Sequence, residues 1–421
     1  MANVLLTTSK ITREAVRLFV NSNMFIRRVN RQHDDEFGKK GEKIGSQLRV
    51  RLPNDFVVTK GPAASVQDTQ EVQTVLTLAT QAHVDVSFAT VDLYLSLDDF
   101  SERILQPAMN NLAGQVAVDI MGVVEQGNIT LPANAPAAPL ASNTGGVCNI
   151  APKFDGAGNL LSPDQNSALA AKALLTDNSA RMDKRMIVLD QWTDSRLAGS
   201  LTGLLNPATR ISQQYEDGAM KNGLGFTWFE DPTVIKHTTG SFTAGTVNGA
   251  GQTGQTLVVN AITGTLNVGD IITLAGVNAV NRVNKQTTGN LRQFVVTAAA
   301  ANGATQISIY PAIVPPVGGN AVQYQTVTAS PANGAAISMI VKPGVTYRKN
   351  IAFVPEAITM VTGDLPLPKN VDAARAVYDG VSLRMVTQYA VGTDQEITRI
   401  DGLYGGLMVR PEWGVVIPDI L

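Results

Sequence analysis

The sequence predicts an α+β protein in which a small all-β domain, a barrel or a sandwich, is inserted into a larger mixed body. Three observations predict it. Residues 233 to 345 carry six charged side chains (Lys236, Asp270, Arg282, Lys285, Arg292 and Lys342), whereas the sequence on either side mixes charge and apolar residues normally. Within that island, short runs rich in Val and Ile alternate with Gly, Asn, Thr and Pro, the punctuation of strands and turns. The flanks read as helix and strand, and 421 residues exceed what one core usually organises, so two or three domains are expected.

From the amino end, residues 8 to 23 place Ile11, Ala15, Leu18 and Phe19 on one helical face, with Lys10, Arg13, Glu14 and Arg17 elsewhere. Such a short amphipathic arm needs a partner surface. After a polar stretch, Gln47-Leu-Arg-Val-Arg-Leu52 alternates as an exposed strand does, and a second alternating run covers residues 72 to 97. With Pro53, Gly61 and Pro62 between them, the two runs predict a long projecting β-hairpin. Ser96, with Asp99 three residues on, caps a helix through Phe100, Ile104, Leu112, Val116 and Ile120 towards Gly127, kinked or restarted at Pro107. Ser162-Pro163 opens a second helix through Ala168 to Leu175. Met186–Leu189 reads as a buried strand and Gln191–Leu201 as helix.

The insert begins near Pro232. Residues 257 to 262, 271 to 274, 294 to 296, 306 to 310 and 322 to 324 are its expected strands, with turns at Gly269-Asp270 and Asn302-Gly303. Beyond it, residues 351 to 354 and the alternating segments 381 to 386, 397 to 400 and 406 to 409 resume the body.

Composition and motifs exclude several classes. With 33 basic and 35 acidic side chains the net charge is −2, which argues against a dedicated nucleic-acid binder and leaves any DNA contact weak and nonspecific. The single Cys148 can form no intrachain disulfide, and a reducing compartment is expected. Without a leader or an apolar run of about 18 residues, the chain is expected to be cytosolic when made, soluble, and without a membrane partner. His33, His83 and His237 stand outside any metal-binding arrangement, and structural or solvated roles are expected. Gly249-Ala-Gly251-Gln-Thr-Gly254 matches the dinucleotide fingerprint by letters, but it precedes a strand instead of following one and reads as a flexible loop. Asp34-Asp35-Glu36 lacks the spacing of a calcium loop and reads as a solvated acidic patch. No catalytic, cofactor or metal site is expected.

The first 60 residues are net positive. Arg27-Arg28 with Arg31 can contact an acidic partner or a second subunit through forked hydrogen bonds, with an ordinary solvated surface as the competing reading. Arg13, Arg17, Phe19, Arg27, Arg28, Arg31 and Lys60 are the candidate assembly contacts.

In this order the parts resemble the major capsid protein of tailed double-stranded-DNA bacteriophages, in the podovirus-type form that carries a β-barrel insertion. The more specific stretches are Tyr215-Glu-Asp-Gly218 with Gly225-Phe-Thr-Trp-Phe-Glu-Asp-Pro232 ahead of the insert, Leu266-Asn-Val-Gly-Asp-Ile-Ile-Thr-Leu274 and Ile307-Ser-Ile-Tyr-Pro311 within it, and Asn350-Ile-Ala-Phe-Val-Pro-Glu-Ala-Ile-Thr-Met360 after it. The resemblance implies a Hong Kong phage-type capsid fold. Its parts would be an N-terminal arm (1–43), an extended β-hairpin loop (44–97), a spine helix and peripheral domain (98–185), an axial domain in two parts (186–232 and 346–421), and the inserted β-barrel domain (233–345). It further implies hexamers and pentamers of the chain itself, a scaffolding protein, a portal protein, nonspecifically contacted double-stranded DNA, and assembly in the host cytoplasm into the virion capsid. One departure stands out: the candidate intercapsomer loop, residues 241 to 255, is uncharged. The alternatives are a β-rich virion decoration or host-binding protein and, far behind, an enzyme with an unrecognised site.

Overall fold

The computed structural model describes residues 8–31, 47–52, 55–63, 66–67, 73–78, 80–89, 101–128, 145–201, 222–316, 322–390 and 395–421. The amino-terminal helix Thr8–Ser22 forms where the apolar spacing puts it and buries Ile11, Ala15, Val16, Phe19 and Val20. Its partner is the chain itself. It lies against strands Asp372–Tyr378 and Val381–Ala390 and against the long helix Gln106–Gln126. The expected arm awaiting a neighbour is thereby corrected to a layer of the subunit's own core, because that apolar face gains its burial on the nearest apolar sheet.

A π-helical turn, Ser101–Leu105, runs into the α-helix Gln106–Gln126. Pro107 occupies the first turn of the α-helix, directly after the π-helical turn, where a residue without an N–H is tolerated, and the α-helix starts afresh there. The helix stops at Gly127, whose φ of 81° is left-handed and whose N–H donates to the Val123 carbonyl at 2.7 Å. The cap expected at Ser96 lies outside the described residues.

Behind these helices Ile358–Gly363, Gln395–Met408, Val381–Ala390 and Asp372–Tyr378 form an antiparallel sheet in that order. Strand Thr80–Ala89 joins the long strand Gln395–Met408, in register from Thr80↔Tyr404 to Ala89↔Gln395. The long hairpin expected over 44 to 97 is corrected accordingly. Among the described residues, Gln47–Arg51 and Gln73–Thr77 pair as a two-stranded ribbon, while the next strand belongs to the sheet. Alternation is the same in a free ribbon and in a half-buried sheet strand, so the pattern runs through both unbroken. Leu76 and Leu78 anchor the ribbon against Leu403 and Leu407.

A second body sheet gathers strands from both sides of the insert. Asn149–Ile150, Gly414–Ile420, Thr346–Phe353, Met186–Leu189, Phe226–Glu230 and Asn222–Gly223 lie in that order, with Lys236–Thr238 paired to Thr346–Phe353. Helices Gln165–Asp177 and Gln191–Leu201 contribute Ala168, Ala171, Leu175 and Leu197 to its core. The first of these helices is capped by Asp164, which accepts from the N–H groups of Asn166 and Ser167, and not by the expected Ser162.

The insert has a core of its own, built from residues between Phe242 and Ile337. Its sheet order is Gly254–Val258, Gln306–Ile313, Thr287–Val296, Ile271–Val280 and Ile337–Met339. Val247 bridges to Val259 beside the first strand, and Thr246 bridges to Ala336 beside the last, so one short segment touches both edges of the sheet. The region expected to be a free loop, 241 to 255, is in part this seam, with Phe242 and Val247 buried. Residues Val322–Tyr324, expected as a strand, form a 3₁₀ turn. Gly249, Gly251 and Gly254 all have positive φ on exposed or half-buried backbone with no helix after them, which is a loop and not a phosphate site.

Candidate functional site: the neck of the insert and the basic surface

The chain leaves the body through Lys236–Thr238 and returns through Thr346–Phe353, and these segments pair with each other, His237 opposite Tyr347. The insert therefore joins the body through a two-stranded neck, and its Ile271, Val295 and Val341 also pack in the body's core. At its centre the buried His237 ring reaches two carboxylates: Nδ1 lies 2.5 Å from Glu125 Oε1 and Nε2 lies 2.9 Å from Asp270 Oδ1. Glu125 stands in the last turn of the long helix, and Asp270 in a tight turn of the insert. Both ring nitrogens are thereby engaged, one by a carboxylate of the body and one by a carboxylate of the insert.

The surroundings complete the arrangement. Asp270, fully buried, also accepts from the N–H groups of Asn267 at 2.7 Å and Gly240 at 3.1 Å. Lys349, fully enclosed, sits 3.9 Å from Glu125 and donates to the Gly269 carbonyl at 3.3 Å. Gly269 is needed here: with φ at 90°, a Cβ on it would meet Glu125 Cγ and Lys349 Nζ at 2.7 Å. Tyr347 packs edge-on against the imidazole, its centroid 5.4 Å away. Burial pushes the Tyr347 hydroxyl's pKa far up and the Lys349 ammonium's down.

Burial works to raise the Glu125 pKa, but the hydrogen bond from His237, the Lys349 charge and the His237 charge together hold it below the usual carboxylate value of 4.5. A depressed carboxylate stabilises the fold above its unfolded pKa and loses that contribution as pH falls through the folded value. The neck is expected to loosen below about pH 4.5. Proton-linked unfolding followed from pH 7 to pH 3 should lose this acid-side step in Glu125→Gln, and an unchanged profile would contradict the assignment.

The basic candidates divide in two. Arg13, Arg17, Arg27 and Lys60 are exposed, Arg17 being paired with Glu14 in its own helix. Arg28 stacks 4.4 Å over the Phe229 ring and Arg31 pairs with Asp379 at 2.6 Å, so both fasten the chain to itself. Phe19 is 1% exposed in the main core and is corrected from assembly contact to core residue. Residues 34 to 36 lie outside the described residues. His83 lies 3.0 Å from Asp85 on the surface. Cys148 is buried, its thiol pushed up to about 12 by burial. The neck cluster escaped sequence reasoning because its members are spread from 125 to 349. One signal was present, since Asp270 is the only acid in the charge-poor island.

A family model described as "P22 coat protein - gene protein 5" matches residues 162–418, more than half of the chain, running through the insert and both of its flanks. The chain belongs to the P22 coat protein family. As a coat protein of this family it is a major capsid protein that forms a phage shell, a structural component of the virion. Solved structures are similar over most of the coat protein's length. One, of Mycobacterium phage Che8, is 13% identical, covering 94% of this chain and 90% of the other at a TM-score of 0.41. The capsid of Ralstonia phage GP4 is 7% identical, covering 93% and 94% at a TM-score of 0.41. The CUS-3 coat protein I-domain is 27% identical over 23% of this chain and 94% of that one, with a TM-score of 0.20. No curated protein matches. Among the described residues, no helix is long and apolar enough to cross a membrane.

Proposed function

We propose that this coat protein closes an icosahedral shell as hexamers and pentamers around phage double-stranded DNA, with a scaffolding protein during assembly and a portal protein at one vertex. The observation that carries the reading is the family match itself, which spans the insert and both flanks. In this reading residues 98 to 185 are the spine and peripheral region, 186 to 232 and 346 to 421 the axial domain, and 233 to 345 a closed barrel inserted into it. Pairing of Met186–Leu189 with Thr346–Phe353 supports one axial domain made from two parts, and the bridges at Thr246 and Val247 support closure. The exposed Arg13, Arg17, Arg27 and Lys60 serve contacts between copies or with an acidic partner. Assembly takes place in the host cytoplasm.

Electron microscopy of the full chain expressed with and without a co-expressed scaffolding protein tests this. Closed shells of uniform diameter with the scaffold, and aberrant shells or tubes without it, are expected. Small discrete oligomers under both conditions would remove the icosahedral reading.

A further inference from the structure

Arg282 stands in the turn between strands Ile271–Val280 and Thr287–Val296, at one end of the insert. Its guanidinium grips Asp55 as a fork, Nε to Oδ1 at 3.0 Å and Nη2 to Oδ2 at 2.9 Å, with both side chains about three-quarters shielded from solvent. Asp55 follows the ribbon strand Gln47–Arg51 by four residues, so the pair ties the chain beyond that strand to a domain more than two hundred residues away. Next to it Gln67 and Val57 exchange hydrogen bonds, the Val57 N–H donating to the Gln67 side chain at 2.9 Å, which holds the two sides of this segment together.

Asp55 also enters a nest of positive charge. Lys285 shares the turn with Arg282; burial lowers its ammonium, which Asp55 counteracts and Arg282 reinforces. Arg410, 8% exposed and stacked 4.6 Å over Trp413, is lowered by burial and then by Arg282, against Glu412, Asp55 and Tyr310. Glu412, the other acid at this nest, accepts the Tyr310 hydroxyl at 2.7 Å. One carboxylate from the ribbon segment therefore opposes cations from the insert and, beside Glu412, from the carboxy-terminal region.

We propose that Arg282 and Asp55 are positioning residues for shell assembly: their fork latches the ribbon segment to the insert and so fixes the direction in which that segment leaves the subunit. The latch gives the insert a geometric part in building the shell. Its loss is asymmetric. Without Asp55 the cations of Arg282, Lys285 and Arg410 keep Glu412 alone of the two acids named here, whereas without Arg282 the Asp55 carboxylate still opposes Lys285 and Arg410. The assembly role rests on the shell-forming reading, whereas the latch itself is read in the unassembled chain.

The test uses full-length Asp55→Ala, Arg282→Ala and the double variant. In the unassembled chain, exchange of the Val57 amide, which is bonded to Gln67, should quicken about tenfold in Asp55→Ala and about threefold in Arg282→Ala, at unchanged thermal midpoints. The double variant should be no faster than Asp55→Ala, because removing Arg282 relieves the exposed repulsion. Unchanged exchange, or a double variant showing the product of the two single effects, overturns the latch. In shells formed by these variants a broadened distribution of diameters is expected, and a normal distribution overturns the positioning role. If Asp55→Ala does not fold, Arg282→Lys, which keeps the charge and loses the fork, gives the same reading: quickened exchange supports the latch and unchanged exchange overturns it.

Discussion

His237→Ala is expected to cost the subunit about 3–5 kcal/mol of folding stability, read as a lowered denaturant midpoint of the full chain. The ring fills both of its nitrogens between Glu125, which is partly exposed, and the fully buried Asp270. Its removal leaves two carboxylates and a cavity, with Lys349 as the remaining cation, 3.9 Å from Glu125 and drawn towards the Gly269 carbonyl. Asp270 keeps the N–H groups of Asn267 and Gly240 but loses the His237 ring nitrogen 2.9 Å from its Oδ1. A buried charge stripped of its partner is destabilising far beyond the worth of an exposed pair. His237→Gln can restore one of the two hydrogen bonds and should recover part of the loss. A loss under about 1 kcal/mol in the alanine variant would mean that the neck is held by its strand pairing alone.

Phe19→Ala is expected to destabilise the unassembled subunit by about 3–5 kcal/mol, since a fully buried aromatic side chain is replaced by a cavity. Its ring lies in the core with Val16, Val20 and Leu112 and faces the sheet strand carrying Leu383. Arg13→Glu, on the exposed side of the same helix, should move the subunit's melting by no more than about 0.5 kcal/mol while changing assembly yield. Thermal melting alongside particle yield separates the two positions. A Phe19→Ala chain that melts normally but does not assemble would return Phe19 to the subunit surface.

Much of the fold could be read from local signals. The helix Thr8–Ser22, the strand Met186–Leu189, the helix Gln191–Leu201 and the charge-poor insert each announce themselves through periodicity or composition within one window. What escaped depends on distant partners. The ribbon and the sheet strand Thr80–Ala89 share one alternation, and only pairing with residues 395 to 404 separates them. Phe19 looked available for a neighbour because nothing local shows that residues 372 to 390 return to cover it. The neck cluster joins positions 125, 237, 270 and 349, and no spacing rule connects them. Val322–Tyr324 has strand composition, yet its short run of β-type residues winds as a turn, showing how weak propensity is over three residues.

The two kinds of core imply an order of events on the ribosome. Everything the insert buries in its own core comes from residues 242 to 337, so that domain can close as soon as this stretch has emerged. The body cannot. Strand Thr80–Ala89 waits for residues 395 to 404, and Asn149–Ile150 waits for Val415 and Val416. Through most of translation the early body strands are therefore without their partners, and the apolar face of Thr8–Ser22 has the helix Gln106–Gln126 but not strands Asp372–Tyr378 and Val381–Ala390 to cover it. The insert is the part of this chain able to offer a finished surface before the last strand is made.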